Sequence, residues 1–248
     1  MELLWVLFGA IVLLAYTLEA VTGFGSIVIA LSLGVLFLPF DKILPILVCL
    51  NICMTSVLAF KNRKSIHKRL LITIILPGML TGTAAGYLLK PYLDEVILKQ
   101  VFGVLIVWFA GRELWRMYHQ HEDAMRATWI TRCITFGAGI THGLFASGGP
   151  LLVYAVAGTQ IDKAQFRATM VFVWFTLNAL LTVAFLLDGR LVPVLPNVLL
   201  LMPLLFVAVK LGNFLHHKVN ERHFKSAVYT LLLITGIILI VSRYLMAQ

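Results

Sequence analysis

Two groups of residues could do chemistry inside an otherwise apolar chain. Glu19 is followed three residues later by Thr22-Gly23-Phe24-Gly25-Ser26, and His142 is followed three residues later by Phe145-Ala146-Ser147-Gly148-Gly149-Pro150. A carboxylate or an imidazole within an apolar run is costly, and its default reading is a functional group facing a cavity. Burial disfavours the charged form of either group, so Glu19 and His142 could both exchange protons with a passing solute. A structural cap or an ion pair with a lysine is the alternative for Glu19, and a hydrogen bond to a neighbouring helix is the alternative for His142. Gly and Pro interrupt helices and permit unusual backbone angles. Each group therefore reads as a helix, a turn and a new short helix beginning near Ser26 or Pro150, a proline being well suited to a first helical turn. Two helix N-termini meeting near mid-membrane would offer free N–H donors and partial positive charge to a small anion. The candidate binding residues are Thr22, Gly23, Phe24, Gly25, Ser26, Ser147, Gly148 and Gly149, with Asn51 and Asn178 near the centres of two other apolar segments. A plain hinge explains the glycines equally well, and interhelical hydrogen bonding explains the asparagines.

The elements that must carry these residues belong to a membrane. Of the 248 residues, 60% are hydrophobic and 12% charged, against about 25% charged in soluble domains, and mean hydropathy is +0.96. That composition excludes a cytosolic enzyme or a DNA-binding domain, and the formal charge of +9 reads as the basic excess of cytoplasmic loops rather than as a nucleic-acid surface. The opening MELLWVLFGA carries Glu2 and no basic run, which predicts a first membrane element rather than a cleaved leader.

Apolar runs between charged breaks give eight segments: Leu3 to Leu38, Ile43 to Phe60, Leu70 to Leu89, Ile97 to Trp115, Trp129 to Gly158, Ala164 to Leu187, Leu191 to Val209 and Ser226 to Met246. The first and fifth are too long for one crossing of a core about 30 Å thick, and each holds one of the two glycine-rich groups near its middle. Both are expected to be broken-helix hairpins, a long kinked span being the alternative. Counting Lys and Arg favours hairpins: they put 15 inside and 5 outside (Lys42, Lys90, Lys99, Arg190, Arg243), whereas eight single crossings give 11 against 9.

The two halves look alike. Asp41-Lys42 and Asp162-Lys163 open the second and sixth segments, while Pro77, Gly82 and Gly86 correspond to Pro203, Ala208 and Gly212 at an offset of 126. The two breaks correspond at an offset of about 123. A hairpin plus three crossings is an odd number of passes, so the second copy must be upside down relative to the first. The expected fold is an all-α integral membrane protein of two inverted repeats, residues 1–118 and 129–248, each a broken-helix hairpin followed by three transmembrane helices. Gly78, Gly82 and Gly86 form a small-residue face for helix packing, which could also pair two copies as a homodimer.

No cofactor or metal is expected. His119 with His121, or His216 with His217, lacks the accompanying ligands of a zinc or iron site, and their basic surroundings suit lipid headgroups better. Cys49, Cys53 and Cys133 read as small apolar residues.

The glycine-rich break Gly23-Phe24-Gly25-Ser26 after an N-terminal apolar helix, repeated half a chain later as Ser147-Gly148-Gly149-Pro150, resembles the sulfite exporter TauE/SafE family over essentially the whole length. Phe24 and Ser26 stand where further glycines are common in that family. The resemblance implies movement of sulfite, sulfonates such as sulfoacetate, or related small organic anions across the bacterial inner membrane. Together with the repeat it points to a secondary transporter, with Glu19 and His142 carrying protons and alternating access about a site between the breaks. The absence of a Walker-type ATP motif leaves a gradient or a separate subunit as the energy source. An anion channel is one alternative; a membrane enzyme or assembly factor is another, though no catalytic constellation is visible.

Overall fold

The computed structural model describes residues 2–22, 25–119, 127–156, 159, 161–216 and 221–246, and every regular element among them is helical. Gly23, Phe24, His121 and His217 lie outside the described residues. The elements are α1 (Glu2–Thr22), α2 (Ser26–Gly34), α3 (Phe40–Lys61), the short α4 (Lys68–Leu70), α5 (Leu76–Leu89), α6 (Glu95–His119), α7 (Thr128–Phe145), α8 (Gly149–Val156), α9 (Lys163–Leu187), α10 (Leu195–His216) and α11 (Glu221–Met246).

Both long apolar segments are broken where their glycine-rich groups fall. α1 gives way to α2, and α7 to α8, and the two pieces of each pair pack together. Residue type explains several other boundaries. Asp162 caps α9 by accepting the Gln165 amide at 2.8 Å, and His67 caps α4 through the Leu70 amide at 3.2 Å, the role expected of a side-chain acceptor at a helix start. Between α4 and α5 the chain makes a π-helical turn, Leu71–Ile75. It lies just before Pro77, whose ring lacks an N–H and crowds the carbonyl four residues back.

Among the described residues, five helices are long and apolar enough to cross a membrane: Leu3–Val21, Phe40–Lys61, Lys68–Tyr92, Ala164–Leu187 and Val192–Gly212. α6 is longer than most of these, but Glu95, Lys99, Arg112, Glu113 and Arg116 break up its apolar stretch, and α7 is diluted by Thr and Gly. Large apolar side chains such as Val57, Phe60, Leu88, Leu200 and Phe206 remain exposed on the spanning helices, as a lipid-facing surface requires.

Four helix pairings organise the interior: α5 with α7, α1 with α10, α3 with α9 and α6 with α11. One buried cluster gathers Phe8, Tyr16, Phe40, Phe102, Phe145 and Phe185; a second, around α5, α7, α8 and α9, gathers Ile75, Met79, Ala138, Leu152, Val173 and Leu177. The α5–α7 contact is the tightest. A Cβ on Gly82 would lie 2.2 Å from the Phe136 carbonyl oxygen, one on Gly86 2.2 Å from that of Ile140, and one on Gly143 2.3 Å from that of Thr83. The small-residue face therefore packs within the chain. Because α7 fills it, this face is not available to join two copies. Cys133, expected to be buried, is exposed, and Cys49 and Cys53 are half-buried.

Ion pairs form near opposite ends of the spanning helices. At one end Lys90 pairs with Asp41 at 2.8 Å, and Asp188 binds both Tyr87 and Arg190. Partial burial works to raise the Asp188 carboxyl, but the hydrogen bonds and charge of Arg190 hold it below its ordinary value. At the other end the buried Glu113 is bracketed by Arg112 at 2.5 Å and Arg116 at 2.6 Å.

Replacing Gly82 with Ala is expected to drive α5 and α7 apart, at the roughly 1–3 kcal/mol or more typical of overpacking. The check is melting temperature and monodispersity in detergent. Gly137→Ala, whose Cβ would meet nothing within 4 Å, should match the unmodified protein.

Candidate functional site

The two breaks are built differently. In the first, Gly25 takes a left-handed conformation, φ 104°, which glycine adopts without a Cβ penalty. α2 then starts at Ser26, with the Ile29 amide bonded to the Gly25 carbonyl at 3.0 Å. In the second, the left-handed position is filled by Ala146, φ 51°, whose amide caps α7 by donating to the His142 carbonyl at 2.7 Å. α8 starts at Gly149 with Pro150 in its first turn. Gly148 is pressed against the α7 backbone, where a Cβ would stand 2.3 Å from the Ala138 carbonyl oxygen. The restarts at 26 and 149 are separated by 123 residues, the same offset that relates Glu19 to His142.

A chain of hydrogen bonds ties the first break to α3 and α9. Glu19, one turn before the end of α1, accepts the Ser26 amide on Oε2 at 3.1 Å. The Asn51 amide nitrogen lies 3.0 Å from each carboxylate oxygen and 3.1 Å from the Ser26 hydroxyl. The Asn51 carbonyl accepts in turn from Asn178 Nδ2 at 2.8 Å. The Ser26 and Asn51 N–H groups are the donors that reach the carboxylate, as an acceptor-only side chain requires. The N-terminus of α2, expected from the sequence as one of two anion seats, is thus already facing a negative side chain of the protein. Beside it, Arg167 donates to the Ala20 carbonyl at 2.9 Å, supplying a partner to the last turn of α1.

Between the breaks lies a cavity of about 30 Å³. One water needs roughly 10–15 Å³ by this measure, so there is room for two or three waters or one compact ionic headgroup. Glu19, Gly25, Asn51, Ser147, Gly149 and Asn178 all line it, together with Ala146 and Trp174. The structure therefore gathers six of the residues singled out from the sequence. Ser26 contributes through its hydrogen bonds, and Gly148 stands behind the cavity as a packing residue. Of Thr22 only its place as the last residue of α1 is described. His142 is fully buried, is not itself a lining residue, and lies flat against the Trp174 ring, centroids 5.9 Å apart and planes 24° apart. Trp174 is the residue that sequence reading missed. Its signal was present: it sits four residues before Asn178, a spacing that puts both on one face of a helix.

No metal-holding group of three or more His, Cys, Asp or Glu occurs among the described residues.

A chain of apolar helices, several long enough to span a membrane, with two broken helix pairs meeting at a small polar cavity, is a multispanning membrane protein of the transporter class, in which broken helices are tolerated because they line a cavity. It belongs to the sulfite exporter TauE/SafE family, whose sequence profile matches residues 8–239, a family of membrane transporters and not of enzymes. Over 171 residues it is 27% identical to the "Probable inner membrane transporter protein TsaS" of Comamonas testosteroni, covering 67% of this chain and 70% of that one. No solved structure matches it.

The hydrogen-bond chain makes a ranking testable. Asn51→Leu strands both the Glu19 carboxylate and the Asn178 amide, at about 1–3 kcal/mol for each group left unsatisfied. Asn178→Leu strands only the Asn51 carbonyl. Melting temperatures should fall further for Asn51→Leu; equal falls would refute the chain.

Proposed function

We propose that the protein is a secondary transporter of small sulfur-containing anions, sulfite and sulfonates among them, in the bacterial inner membrane, with the arginine-rich end of its helices facing the cytoplasm. Residues 1–118 and 129–248 act as inverted repeats that rock against each other about the cavity between the breaks. The helix pairing supports this reading: α5 with α7 has its counterpart in α10 with α1, while α3 with α9 and α6 with α11 pair like with like. Family membership supports the substrate class, and the name of the Comamonas relative supports the inner membrane.

The observation that carries the proposal is the Glu19 carboxylate hydrogen-bonded to the α2 N-terminus at the edge of the cavity. An anion about 4 Å from an ionised carboxylate is repelled by about 4 kcal/mol at an effective dielectric constant of ~20. Protonation of Glu19 removes that repulsion and relaxes its hold on the Ser26 amide. Anion and proton therefore favour each other's binding, which is the linkage a proton-coupled carrier needs. His142, at the matching position in the second half, is the second candidate for proton exchange.

Purified protein in proteoliposomes, given sulfite, sulfoacetate, taurine, acetate or sulfate under an imposed pH gradient, should show saturable, gradient-dependent flux of a sulfur oxyanion in excess of acetate. Flux that rises without saturation would mean a channel. Glu19→Gln should abolish the response to the pH gradient while sparing anion binding; an unaltered pH response in that variant would sink the coupling.

A further inference from the structure

The two breaks present different faces to the shared cavity, and the difference locates the anion. On the α2 side, the Ser26 amide, the Asn51 amide and the Glu19 carboxylate satisfy one another. Across the cavity, Trp174 Nε1 and Asn178 Oδ1 are buried without a hydrogen-bond partner, and so are both ring nitrogens of His142, which stacks on the indole outside the cavity lining. Trp174 and Asn178 line the cavity together with Ser147 and with Gly149, the first residue of α8. Trp174 is 6% exposed and Asn178 1%, so neither finds water at a surface. Buried polar groups are as a rule paired, and a cluster of orphans around one space calls for a ligand that completes them.

The orphans also specify that ligand. The indole N–H can only donate, and Asn178 Oδ1, with its amide nitrogen already committed to Asn51, can only accept. A bare oxyanion satisfies the first and leaves the second empty. Resting on the transport reading above, we infer that the anion is seated in the second break, between Trp174 and the start of α8, and that the favoured substrate is a monoanion retaining one donor hydrogen: an oxygen of the ligand accepts from Trp174 Nε1 and its O–H donates to Asn178 Oδ1. Hydrogen sulfite has this chemistry, whereas methanesulfonate, of the same charge and similar size, has no donor hydrogen. His142 stacks behind the indole and positions it. The first break then supplies the coupling carboxylate and the second break the seat, a division of labour between two similar elements.

The test is sulfite uptake into proteoliposomes at a pH where hydrogen sulfite predominates, with Trp174→Phe, which keeps the ring and removes only the N–H. The expected result is a KM raised tenfold or more, with the melting temperature of the ligand-free protein unchanged or higher, because the substitution removes an unpaired buried donor. Trp129→Phe, at an exposed site outside the cavity, should behave as the unmodified protein. Methanesulfonate should compete with sulfite at least tenfold more weakly than unlabelled sulfite does. An unchanged KM in Trp174→Phe, or a lowered melting temperature that accounts for its loss of uptake, overturns the seat; equal competition by methanesulfonate overturns the donor hydrogen. Either result leaves the transport reading intact. If the unmodified protein carries no sulfur oxyanion, sulfite binding is read instead from a change in tryptophan fluorescence in detergent, present in the unmodified protein and absent from Trp174→Phe; no change overturns both readings.

Discussion

Hydrocarbon offers no hydrogen bonds, so a helix that stops inside a membrane must find partners for the backbone groups it frees from within the protein. This chain stops twice, after Thr22 and after Phe145, and much of the remaining architecture answers those two interruptions. Arg167 reaches the Ala20 carbonyl, Glu19 takes the Ser26 amide, and the Ala146 amide folds back on the His142 carbonyl. α3 and α9 cross the gap and bring an asparagine each to the same spot. Remove the interruptions and neither the buried carboxylate nor the asparagine pair has a reason to be there.

A negative side chain at the heart of a protein that handles anions looks like a contradiction, and the local geometry resolves it. Among the described residues the carboxylate is held by one backbone N–H and one side-chain amide, with no Lys or Arg among its hydrogen-bond partners. Such a group is stabilised by dipoles alone, and its charge can be cancelled by a proton without breaking an ion pair. The structural ion pairs stand apart from it, at the helix ends, where Lys90 meets Asp41 and where Glu113 sits between two arginines. Fixed charges tie helices together near water; the uncompensated charge is kept for the centre.

Much of this was legible in the sequence because it rests on residue types that leave few choices. Glycine and proline clusters inside segments too long for one crossing locate the breaks, and the equal spacing of Glu19 and His142 before them marks the cavity. The Gly78, Gly82 and Gly86 face announces close packing, but spacing alone does not say whether the partner is α7 or a second copy, since both satisfy the same surface. That Glu19 would cap α2 depends on how tightly the chain turns between Thr22 and Ser26, a three-dimensional fact. Trp174 escaped notice because a tryptophan in an apolar helix looks like packing until its N–H is found without a partner. The π-helical turn before Pro77 was likewise invisible, because proline shows that a regular hydrogen bond is missing without showing how the backbone accommodates it.

The two cross-half contacts that look equivalent on paper differ in what lies between the helices. Along α5 and α7, glycine lets carbonyl oxygens and α-carbons meet directly, with no side chain to swing aside. Along α1 and α10 the packing is mixed: the neighbours of Gly9 are the Leu201 and Leu204 side chains, which can change rotamer, whereas a Cβ on Gly212 would lie 2.5 Å from that of Ala20 and 3.1 Å from the Thr17 carbonyl oxygen. One seam is therefore a weld along its length, and the other a weld at one end and a cushion at the other. A force that reorients the halves is absorbed where the leucines yield, near the start of α1, while the Glu19 end of that helix and the part of the molecule carrying Trp174 keep their shape.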